Sequence, residues 1–82
     1  MPDVIAISLR KRLGDDIFRS WFAKVTVAGV ADGTVTLVAP SPFHATKIII
    51  DYEVQLLVAW RAMDASIERV EAFASKPGIA RT

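Results

Sequence analysis

The sequence predicts a small α+β domain of two layers, with helices packed on a three-stranded sheet in the order α-α-β-β-α-β. Three observations predict it. Apolar residues recur at helical spacing from residue 3 to 25, alternation takes over from 25 to 40 around Asp32-Gly33, and a long helical pattern returns after the Ser41-Pro42 corner. Eighty-two residues make one domain near the lower size limit for folding without a staple. The 52% hydrophobic content rules out a disordered segment and leaves apolar side chains over for contact.

Residues 3–13, DVIAISLRKRL, read as the first helix. Asp3 is the expected cap, Ile5, Leu9 and Leu13 recur every four residues, and Arg10, Lys11 and Arg12 suit its negative C-terminal end. Gly14 ends it and Asp15 or Asp16 is expected to cap the next. There Ile17, Phe18, Trp21, Phe22 and Val25 form a stripe wider than one packing partner needs. The run VTVAGVADGTVTLVAP then alternates, with Asp32-Gly33 as a hairpin turn. Val35, Leu37 and Ala39 share one face, and Thr34, Thr36 and Val38 the other. The helix from about Pro42 to Met63 is expected to pack through Ile49, Tyr52, Glu53, Leu56, Leu57 and Trp60, with a kink near Asp51. A third strand is expected at 67–73, with Ile67 and Phe73 on one face and Val70 and Ala72 on the other, buried on both sides or bulged. The helix joining the second strand to the third implies a crossover between parallel strands. Residues 1–74 form the domain, and 75–82, without periodicity, read as a tail or linker.

Little chemistry is available to such a chain. It has no cysteine, so no disulfide or thiolate metal site, and its only histidine, His44, has no partner group that would orient it for catalysis. Glycines at 14, 29, 33 and 78 build no phosphate-binding loop. Neither a cofactor nor an enzymatic activity is expected. No secretion signal or membrane-spanning stretch is evident, which points to a cytoplasmic address. A net charge of +1 does not suit a dedicated nucleic-acid binder, although Arg10, Lys11, Arg12 and Lys24, with Arg19, could form a local patch.

Phe43 is the better lead. Ser41 as cap and Pro42 at the first helical position already specify the turn, so nothing in helix-start chemistry requires an aromatic there. At that exposed position Phe43 can anchor a partner.

Together, "LGDDIFRSWF" at 13–22, the hairpin, "APSPF" at 39–43 and Tyr52 nine residues past Phe43 carry a resemblance. The chain resembles the N-terminal domain (domain I) of the bacterial replication initiator DnaA over about residues 3–73. That resemblance implies a KH-like fold used for protein contacts: self-association, helicase loading and the binding of initiation regulators, with weak single-stranded DNA contact in some members. The GXXG loop of RNA-binding KH domains is missing. The family's helicase-contact Phe falls on Phe43, and a second contact position, acidic in some members, falls on Ile17. Its first-helix Trp, which supports self-association, falls near Pro2 and its third-helix Trp on Lys47. With the resemblance, Phe43 is the expected anchor, with Ile17, Arg19 and His44 around it, and the expected partners are a replicative helicase or initiation regulators, with a homo-oligomer and single-stranded nucleic acid as alternatives.

Overall fold

The computed structural model describes residues 1–74, and the expected tail at 75–82 lies outside them. The order is α1 (Asp3–Leu13), α2 (Asp15–Trp21), β1 (Thr26–Ala31), β2 (Thr34–Ala39), α3 (Pro42–Met63) and β3 (Arg69–Ala74). The strands form one mixed sheet in the order β1-β2-β3, with β1 antiparallel and β3 parallel to β2. This is the α+β architecture that the sequence predicts. Among the described residues no helix is long and apolar enough to cross a membrane.

Both caps expected of aspartate side chains are made otherwise. Pro2 occupies the position before α1 and Asp3 is its first helical residue, where its charge meets the positive helix end without capping it. Gly14 alone joins α1 to α2: its N–H donates to the Arg10 carbonyl at 2.8 Å and its carbonyl accepts from Phe18 N–H at 3.1 Å. Its φ of 94° and ψ of 156° lie where only glycine is comfortable. Asp15 and Asp16 therefore stand in the first turn of α2 without capping it.

The hairpin closes at the Ala31–Thr34 pair through Asp32 and Gly33, both at positive φ (53° and 75°), as a two-residue turn of the I′ kind demands. The Gly33 carbonyl also accepts from the amides of Glu68 and Arg69 at 2.7 and 3.1 Å, so the turn fixes the start of β3. A Cβ at Gly33 would meet the Ser66 carbonyl oxygen at 3.1 Å. Gly33→Ala is therefore expected to cost about 1–2 kcal/mol, read as a lower urea midpoint, because left-handed strain and crowding add.

Ile5 and Leu9 of α1, Phe18 and Phe22 of the α2 segment, and Val35, Leu37, Ala39 and Val70 of the sheet close on α3. α3 lies across β2 and β3 and packs against α1, which in turn packs against α2. Its packing face differs from the expected one. Ala45, Ile48, Leu56, Ala59 and Trp60 are buried, Ile49, Tyr52 and Leu57 are half-buried, and Glu53 is exposed. The helix runs unbroken past Asp51.

β3 also departs from expectation. Ile67 is buried but precedes the strand, so it does not share a face with Phe73, which is exposed opposite Val38. The irregularity lies in β1 instead, between Val27 and Gly29. The α3–β3 link is held by Asp64, whose carboxylate accepts from the Ser66 hydroxyl at 2.7 Å and its amide at 3.0 Å. These bonds, the hydroxyl's first, hold Asp64 below the usual aspartate pKa. Their contribution to stability is present above the unfolded value and is lost as the pH falls through the folded one.

Candidate functional site

The Ser41–His44 corner is built by local rules. Ser41 is extended (φ −150°, ψ 162°) and its Oγ accepts from the His44 amide at 3.1 Å, with Pro42 at the first helical position. The Ser41 carbonyl then accepts from Ala45 N–H at 3.0 Å. Phe43 and His44 thus leave a fixed helix start, and their side chains take different courses.

His44 turns inward. Its ring Nε2 meets the Trp21 carbonyl, which can only accept, so Nε2 carries the proton and donates. The imidazole also packs against the Trp21 indole, with ring centres 4.9 Å apart. His44 latches the end of α2 to the start of α3. Phe43 stays outside, 73% exposed, with its ring 6.3 Å from the Trp21 ring and tilted by 53°. Lys47, one turn further along α3, sets its Nζ 5.5 Å from the centre of the Trp21 ring. Its hydrogen bond to Asp51 holds the ammonium pKa above the ordinary lysine value. The pair's contribution is present below the unfolded pKa and is lost as pH rises through the folded one.

The corner therefore gathers Phe43, His44, Trp21 and Lys47. Trp21 and Lys47 are additions to the residues that the sequence singled out as contacts. The signal for Trp21 was the excess width of the α2 stripe: Phe18 and Phe22 are buried and stack with ring centres 6.2 Å apart, while Trp21 is left half-buried. Ile17, also half-buried, lies one turn before Trp21 on the same side of α2. Arg19 is engaged elsewhere, with Asp15 at 3.4 Å and Asp16 at 3.2 Å.

Of the basic residues, Arg10 and Arg19 meet at one carboxylate, that of Asp15. Arg10 pairs with Asp15 at 3.4 Å and lies over the Phe18 ring at 4.7 Å. Lys11 and Arg12 are exposed and, at about 100° per residue, point around the α1 axis rather than along one face. Lys24 is exposed on the α2–β1 connection. Among the described residues no group of three or more His, Cys, Asp or Glu could hold a metal ion.

Fold and corner together define a small α+β domain that presents an aromatic surface on a rigid helix start. The DnaA N-terminal domain model matches residues 4–62, and the chain belongs to that family. It is 33% identical over 63 residues to the chromosomal replication initiator protein DnaA of a Bradyrhizobium strain, covering 77% of this chain and 13% of that protein. Against the same-named protein of a Rhodopseudomonas palustris strain it is 32% identical over 69 residues, 84% of this chain and 15% of the relative. The Nitrobacter hamburgensis protein of that name is 30% identical over 63 residues, 77% of this chain and 13% of its own length. The chain thus spans about a seventh of the relatives it matches.

Proposed function

We propose that this chain is a non-catalytic, cytoplasmic protein-contact module of DNA replication initiation, which meets a replicative helicase or an initiation regulator through its aromatic corner. The observation that carries this reading is Phe43: a large aromatic, mostly exposed, on a helix start that the Ser41 cap and the His44 latch hold in place. An aromatic held out on a fixed frame loses little freedom on binding, which is what an interface anchor needs. Membership in the DnaA N-terminal domain family and relatives named as replication initiators support the setting.

The test is an amide NMR titration of the domain with the replicative helicase of the same cell. Shifts gathered at Phe43, His44, Lys47 and Trp21 are expected. A silent corner would remove the helicase contact, and the same series with an initiation regulator would decide whether the corner is a contact at all. A second reading, self-association, is favoured by the exposed apolar side chains Val4 and Ile7 of α1 and Ile50 and Val54 of α3. In the partner-free domain, broadening of those residues on concentration would mark it.

A further inference from the structure

The outer side of α3 is apolar where a surface helix is ordinarily polar. Ile50, Val54, Leu57 and Arg61 follow one another at spacings of four, three and four, so they form one stripe, with Val58 beside it. Ile50 and Val54 are 73% and 68% exposed, while Ile48, Leu56 and Ala59 hold the opposite side of the helix in the core. Arg61 closes the stripe and Glu53 borders it. Neither makes an ion pair among the described residues, whereas Lys47 and Asp51 of the same helix satisfy each other. We infer that this face pairs with its own copy: two α3 helices pack antiparallel about a two-fold axis, and Arg61 of each meets Glu53 of the other. The inference rests on the self-association reading and gives it one face and one register.

A two-fold interface sets a surface against itself, so each group needs its complement on the same face. The α3 stripe has that property, because it carries one unpaired acid and one unpaired base beside its apolar residues. Copies running parallel would bring Arg61 against Arg61. Running antiparallel, Val54 faces Leu57 of the second copy and Ile50 faces its Arg61, whose stem covers the isoleucine while the guanidinium reaches Glu53. Each contact then occurs twice by symmetry. α1 is the poorer candidate: its exposed large apolar residues are Val4 and Ile7 alone, and its unpaired bases, Lys11 and Arg12, outnumber its unpaired acid, Asp3. Nucleic acid is disfavoured by Glu53 and by a face without net charge. Phe43 lies seven residues before Ile50, about 10 Å further along the helix axis, so pairing over 50–61 leaves the aromatic corner open.

Sedimentation equilibrium of the 82-residue chain from about 10 μM to about 1 mM, a range that reveals weak pairing, tests this. A monomer–dimer equilibrium is expected, and Val54→Lys should abolish it. Arg61→Glu and Glu53→Arg should each weaken pairing about five- to twentyfold, since two exposed ion pairs are lost at once. The double exchange should restore it. Eight residues apart on one helix, the two side chains cannot meet within a copy, so only pairing between copies produces that rescue. All three positions are exposed, and circular dichroism confirms that the variants stay folded. A chain that is monomeric throughout would overturn the inference and the self-association reading with it. Dimers that survive Val54→Lys but are lost in Ile7→Lys would move the pairing to α1, which sinks the inference and keeps that reading. Failure of the double exchange to restore pairing, or dimers lost in Phe43→Ala, would overturn the antiparallel register.

Discussion

Trp60→Ala is expected to leave a large share of the chain unfolded. Trp60 is 1% exposed in the last turns of α3, and its carbonyl accepts the Asp64 N–H at 2.9 Å where the helix stops. Truncating a buried tryptophan removes its transfer energy and leaves a cavity, together about 3–5 kcal/mol. A domain this small has a total near the low end of roughly 5–15 kcal/mol, so that loss consumes most of it. Trp60→Phe should behave differently. The indole Nε1 is buried with no hydrogen-bond partner among the described residues. Phenylalanine sacrifices some packing but also removes a donor whose burial costs about 1–3 kcal/mol, so the net loss should stay under about 1.5 kcal/mol. Urea denaturation followed by circular dichroism compares the two. Equal losses for Ala and Phe would mean that the indole N–H contributes a bond of its own, and the argument from volume would fail.

The same helix marks how far sequence reading reaches. Ile48, Ile49 and Ile50 are consecutive and chemically alike, yet one is buried, one half-buried and one 73% exposed. At 100° per residue they point in three directions, and with apolar side chains all round α3 the period cannot choose its core face. Glu53 was misplaced for that reason. The sheet was easier because β2 alternates strictly, and a positive-φ turn has few sequences that suit it, so Asp32-Gly33 fixed the hairpin. Strand parity misled at Ile67, which is buried from the coil before β3, where alternation no longer applies. The caps show the complementary limit. Ser41 was legible because Pro42 follows it. The acids near α1 and α2 were ambiguous, since the same residues serve as caps or as first-turn charges. The corner was half legible: Phe43 stood out as an aromatic that no local rule required, whereas the partnership of Trp21 with His44 and Lys47 joins residues more than twenty apart and exists only in the fold.

Phe43→Ala should separate binding from stability more cleanly than any other change at the corner. The ring is mostly in water already, so truncation forfeits little burial and leaves no cavity. Its tilted contact with Trp21 is the main folded-state interaction at stake. Aromatic pairs contribute about 0.5–1.5 kcal/mol, and an exposed partner puts this one at the low end. Partner affinity should fall by about 1–2 kcal/mol or more, roughly five- to thirtyfold, because an anchor's value is realised only when a partner covers it. Trp21→Ala offers the contrast: it removes a half-buried ring packed against the core and the surface against which His44 and Lys47 rest, so it should lower melting temperature as well as affinity. Titration calorimetry and thermal melts on the two variants give four numbers. If Phe43→Ala lowers the melting temperature as much as Trp21→Ala does while binding holds, Phe43 is part of the architecture and the contact surface must be sought on the apolar flanks of α1 and α3. If affinity falls while the melting temperature holds, the aromatic that no helix-start rule demands is there for the partner.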